Sequence, residues 1–195
     1  MAGTTTTPAS MCKAIQQSAQ WCEGRTELPG IRKRIYFTAS SNVVTEPKLP
    51  VDANNRPTTT TLDGDYVLRD GTVFHYLEGI PNKNQYTSDP QGEIPSQSQL
   101  NKISFLYPSI DEDATGICLS LNNTPSIILF QDNKDRWRVL RNAFGDAKAT
   151  IKQDSGQGLT GDLSTMLEAS CTDLIGAPFF KGSIPTAEGT VKLGS

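Results

Sequence analysis

Three glycines, one histidine, two acidic runs, one basic run and four cysteines are the residues of this 195-residue chain whose types and spacing bear on chemistry. Gly156, Gly158 and Gly161 spell G-x-G-x-x-G, the spacing with which a dinucleotide fold brings a pyrophosphate to a helix N-terminus. The context points elsewhere. The strand before it is polar on one face, whereas a strand in a parallel sheet is apolar on both, and 34 residues after Gly161 are too few to complete a nucleotide-binding unit. The glycines read instead as a hairpin turn that needs positive φ. His75, the single histidine, has no nucleophile placed beside it by sequence and reads as a packed neutral side chain on the face of Val73 and Leu77. Asp111-Glu112-Asp113 and the Asp132–Asp135 run lack the glycine and distal glutamate of a calcium loop and read as turns. Cys12, Cys22, Cys118 and Cys171 have no zinc spacing, so no metal, cofactor or catalytic residue is assigned.

These residues are carried by segments of mostly period-two pattern. In the arm before the glycines, Ala147, Ala149 and Ile151 alternate with Lys148, Thr150 and Lys152, a half-buried strand. The arm after them, Ser164 to Thr172, fits a strand face (Thr165, Leu167, Ala169, Cys171) and also a helical spacing, with the strand preferred. Further strands are predicted over Ile31–Thr38, with Arg32 and Arg34 giving one basic edge, and over Lys102–Tyr107, Gly116–Leu121, Ser126–Gln131 and Arg136–Leu140. Ile127 to Phe130 is apolar on both faces and therefore central. Asp70-Gly71 is the strongest hairpin signal, between Asp65–Arg69 and Thr72–Leu77. The clearest helix is Ser10–Cys22, where Met11, Ile15, Ala19 and Cys22 recur at steps of three and four. Residues 39–64, with Pro47, Pro50, Pro57 and a threonine tract, read as a long loop without a helix or clear strand, and residues 81–99 as another loop.

The expected fold class is mainly β, a sandwich or barrel of about eight strands with one flanking N-terminal helix. Residues 1–24 form an arm and helix, 25–184 the β domain, and 185–195 a C-terminal tail. A net charge of −3 and few aromatic residues argue against a nucleic-acid coat or a polybasic membrane surface. Met1–Pro8 is threonine-rich where a signal peptide needs charge and then an apolar run, so export is not expected and the cysteines are expected to be free thiols.

The order of these features resembles the tail tube proteins of long-tailed phages, especially the divergent group found with gut Bacteroides-type hosts. The resembling residues are Leu28–Phe37, Ile128–Asp132 with Arg136–Leu140, Gly156–Asp162 and Ala177–Gly182, within residues 25–184. The resemblance implies a virion structural protein, not an enzyme, that assembles in the host cytoplasm into hexameric rings whose sheets join into a β-barrel. Its partners would be itself and other tail proteins, with DNA only as passing cargo during genome ejection and no membrane. The loop at 39–64 would reach the adjacent ring, with Val43, Val44, Leu49 and Val51 as its apolar anchors. Another virion ring or capsid-decorating protein is the alternative, or a β-sandwich binding module, whose aromatic platform could draw only on Trp21 and Trp137.

Overall fold

The structure is a computed structural model that describes residues 23, 28–53, 57–94, 96–141, 145–158 and 161–194. The predicted helix at 10–22, with Cys12, Cys22 and Trp21, lies outside the described residues. The chain forms β1 (Ile31–Ala39), a 3-10 turn (Ser40–Asn42), β2 (Val43–Thr45), β3 (Thr61–Leu62), β4 (Val67–Leu68), β5 (His75–Glu78), β6 (Gln85–Gln91) and β7 (Ser98–Tyr107). Helix α1 (Glu112–Leu121) comes next, followed by β8 (Ser126–Asp132), β9 (Trp137–Leu140), β10 (Lys148–Asp154) and β11 (Ser164–Asp173). Three short strands close the chain: β12 (Phe179–Phe180), β13 (Ser183–Thr186) and β14 (Gly189–Lys192). The protein is mainly β, and none of its sheets among the described residues closes into a barrel.

Two large sheets carry the fold. One has the order β3-β12-β9-β8-β1-β5, the other β10-β11-β7-β6. Side-chain alternation explains how they meet. Ile35 and Phe37 of β1, Ile128 and Phe130 of β8, and Leu140 of β9 share one apolar cluster with Ile103 and Phe105 of β7, Ile151 of β10, and Leu167 and Ala169 of β11. The intervening residues Tyr36, Ile127, Leu129, Trp137 and Val139 enter a second cluster with Tyr66, Phe74, Phe180 and Ile184. The six-stranded sheet is therefore buried on both faces, which is why Ile127–Phe130 is apolar throughout.

The paired arms on either side of the glycine turn form as predicted, with Lys148 opposite Ser170 through Asp154 opposite Ser164. Five expectations are corrected. Residues 116–121 are helical, because Asp111 accepts a hydrogen bond from the Ala114 N–H at 2.8 Å and Glu112 and Asp113 occupy the first turn, where acids favour a helix. Residues 81–99 are not all loop: β6 pairs with β7 from Gln85–Ser104 to Gln91–Ser98. Asp70-Gly71 does make a turn, with Thr72 N–H on Arg69 O at 3.0 Å and Gly71 at φ 79°, but its arms part. β4 pairs with β2 and β5 with β1. The 39–64 stretch contains β2 and β3, and residues 185–195 hold β14, which pairs with β13 and places Leu193 in the second cluster.

Candidate functional site

The four-stranded sheet puts Ile103, Phe105, Ile151, Leu167 and Ala169 into the core, so by strict alternation the residues between them form the opposite face, which no other element among the described residues covers. Across it run rows fixed by register: Lys148, Ser170, Lys102 and Thr87, then Thr150, Glu168, Ser104 and Gln85. This face carries a shallow hollow of about 530 Å³ lined by those side chains. Its charges balance, since Lys102, Lys148 and Lys152 stand with Asp89, Asp154 and Glu168, and Lys152 Nζ lies 3.0 Å from Glu168 Oε2.

The two edges of this sheet differ. β10 is flanked: Ser126 and Ala147 exchange backbone hydrogen bonds of 2.9 and 3.0 Å, Asn122 Oδ1 accepts from Ile151 N–H at 3.1 Å, and Gln153 Nε2 reaches Thr115 of α1 at 3.3 Å. Among the described residues, β6 has no strand on its outer side. Which of its amides point outward follows from β7. Ile80 N–H donates to Leu106 O at 2.8 Å and Leu106 N–H to Asn84 Oδ1 at 3.0 Å, so Leu106 turns its polar groups toward β6, and Ser104, Lys102 and Leu100 do likewise. Their partners Gln85, Thr87 and Asp89 point inward along the ladder, leaving the N–H and C=O of Tyr86 and Ser88 on the open side. Pro90, which has no N–H, sits at the same parity, where an edge strand tolerates it.

The residues singled out in the sequence fall into several places. Gly156 and Gly158 take φ values of 70° and 68° in the turn between β10 and β11, as anticipated. Gly161 does not; a Cβ there would collide with the backbone of Gly156 and Gln157, so its need for glycine is close approach. Of the loop valines, Val44 and Val51 are 63% and 50% exposed, whereas Leu49 is half-buried and Val43 packs on the second cluster. The loop is tied to the rest of the chain by the pairing of β2 with β4 and of β3 with β12, and Glu46 lies 2.7 Å from Arg141. That contact is an ion pair without an aligned hydrogen bond, since neither Arg141 Nε nor Nη1 directs an N–H at an acceptor. His75 is exposed on β5 instead of packed, because β5 ends the six-stranded sheet.

Each cation of the basic run of β1 has a carboxylate partner. Arg34 and Lys33 meet Glu78, Arg32 Nη2 lies 2.8 Å from Asp135, and the hydrogen bond from Arg34 holds the Glu78 carboxyl below its usual range, with Lys33 assisting. The two acidic runs are structural in turn. Asp111 caps α1, while Asp132 Oδ1 accepts the N–H of Lys134 at 2.9 Å and of Arg136 at 3.0 Å. Burial alone would raise the Asp132 pKa, but these N–H groups and the Arg136 guanidinium outweigh it and the carboxyl titrates below its usual range. Cys118 is a free thiol, and Trp137 is buried against Tyr36, away from any exposed platform. Sequence reasoning missed β6, whose alternation of Tyr86 and Ser88 with Gln85, Thr87 and Asp89 was the available signal.

No family model, curated protein or solved structure matches this chain.

Proposed function

We propose that the protein is a self-assembling virion subunit of the tail tube kind, a β-sandwich whose four-stranded sheet lines a conduit for DNA. The observation that supports this reading is the pairing of an uncovered, polar, charge-balanced sheet face with an unpaired edge at β6. A hydrophilic face with as many carboxylates as ammonium groups does not hold phosphates by counterion release, as a basic groove does, so duplex can pass without sticking. A free edge invites a further strand, and closure into a ring is how such an edge is satisfied without aggregation.

Strand direction agrees with ring closure. Four antiparallel strands make β6 and β10 run oppositely, so when copies are related by rotation about one axis, the β10 side of one meets the β6 edge of the next in antiparallel sense. Asn122 and Ser126 occupy the first part of β10, and the end at Lys152–Asp154 is the part that reaches the neighbour. Val44 and Val51 on the 39–64 loop would then be covered by an adjacent ring. Negative-stain images with a solution mass test the reading: stacked rings of defined mass support it, and monomers or trimers at every concentration refute it.

A further inference from the structure

A groove of about 850 Å³ opens beside β5, between helix α1 and the turn that joins β13 to β14. Its floor is a gap in a sheet edge. Gly79 N–H donates to Lys33 O at 2.7 Å, so Gly79, Leu77 and His75 turn their polar backbone groups toward β1, while Phe74, Tyr76, Glu78 and Ile80 turn theirs outward. The ends of that outward row are used: Phe74 N–H donates to Pro185 O at 2.9 Å, and Ile80 N–H to Leu106 O at 2.8 Å. Between them, the N–H and C=O of Tyr76 and Glu78 have no strand opposite them among the described residues. We propose that this groove receives an extended segment of another protein, rich in lysine or arginine, that adds to β5 as a short strand. The inference does not rest on the reading of the four-stranded sheet.

The edge already accepts a strand at one end. β13 meets it in the parallel bridge of Thr186 with Phe74, and the chain then turns back at Ala187 and Glu188 into β14, so a guest would continue the row where β13 leaves it. Charge selects the guest. Successive side chains of an added strand point to opposite faces, and both faces are walled here. α1 packs through Ile117 on the first cluster, whereas β13 and β14 pack through Ile184 and Val191 on the second. The α1 wall carries Glu112 and Asp113 and the other wall Glu188, all three exposed and without a cation partner among the described residues. Arg34, also in the lining, is paired with Glu78, so these two cancel, and His75 adds no charge when neutral. The N–H groups at the start of α1 offset on the order of half a charge, which leaves both walls negative. Basic side chains of either parity therefore meet a carboxylate. A second copy of this chain, itself of net charge −3, is disfavoured by the same field.

The test titrates the full chain with a fluorescent, end-blocked (Lys-Thr)3 peptide, with (Glu-Thr)3, and with (Lys-Thr)3 methylated at every amide nitrogen, following anisotropy and the amide exchange of Tyr76 and Glu78. Saturable binding of (Lys-Thr)3 alone is expected, with exchange of both amides slowed in the complex. Glu112 and Glu188 are exposed, so the double variant Glu112→Gln, Glu188→Gln should fold normally and bind roughly fivefold more weakly, as suits two surface ion pairs. Equal binding of the methylated peptide would show attraction of charge without strand addition and overturn the proposal. So would equal binding of (Glu-Thr)3, unchanged binding in the double variant, or no saturation with (Lys-Thr)3. Protection of Tyr76 and Glu78 that rises with the concentration of the chain alone would give the groove to a second copy and likewise overturn it.

Discussion

The two large sheets are built from the same kind of strand and end up with opposite relations to solvent. In the six-stranded sheet both faces are buried, and its end strands are short: β3 has two residues and β5 four. In the four-stranded sheet, among the described residues, only one face is buried, and β6 runs seven residues at an open edge. A sheet covered twice with curtailed edges chiefly holds the molecule together. A sheet covered once, with a long edge left open, costs the protein a hazard of uncontrolled pairing, so its exposed parts are where function is to be sought.

The largest effect that can sharpen this contrast is in the shared core. Phe130 is fully buried with its ring centre 4.9 Å from that of Tyr86, and Phe130→Ala is expected to lose about 3–5 kcal/mol by denaturant unfolding. Met166→Ala, on the uncovered face, should change stability by less than ~0.5 kcal/mol; a comparable loss there would show that the face is not free. The glycine turn comes next. Gly158 has open space around its Cβ position and only the left-handed backbone to restrain it, so Gly158→Ala should cost about 1–2 kcal/mol. Gly161→Ala should cost more, because the backbone itself must move.

A smaller effect is expected with acid. Asp132 titrates below its ordinary value of 3.8, so its stabilisation is complete above that pH and is lost as the pH falls through the lowered folded value. Asp132→Asn keeps the acceptor for the turn amides, and its unfolding midpoint should therefore fall less steeply with acid than that of the wild type. Equal slopes would contradict the assignment. A small effect is also expected of Ser88→Pro, since the N–H it removes points away from β7; monomer stability should fall by about 1 kcal/mol with the lost Ser88–Gln99 hydrogen bond, while assembly, followed by light scattering, is lost.

Where the buried face alternates with a solvated one, the sequence was readable. β10 and β11 pair across their glycine turn because Ala149, Ile151, Leu167 and Ala169 fall on one side, and Ile127–Phe130 announces a strand covered twice. The misreadings have local causes. In α1, Ile117 and Leu119 imitate strand alternation, and the decisive signal was the acidic cap at Asp111–Asp113, which as a turn looks no different. β6 shows few apolar residues because its inward side chains Tyr86 and Ser88 satisfy polar partners, Asn101 Oδ1 at 2.8 Å and Gln99 Oε1 at 3.2 Å. Asp70-Gly71 specifies a turn but not which strands its arms join, a matter settled by long-range packing of Leu68 and Leu77 in different clusters.

Amide hydrogen exchange along β6, compared between dilute monomer and assembled particle, tests the central claim most directly. Tyr86 and Ser88 should exchange fast in the monomer and slowly after assembly, while Gln85 and Thr87, bonded to β7, stay protected in both. Fast exchange of Tyr86 and Ser88 in an assembled particle would mean that the open edge is not where copies join, and the account of the four-stranded sheet would fail.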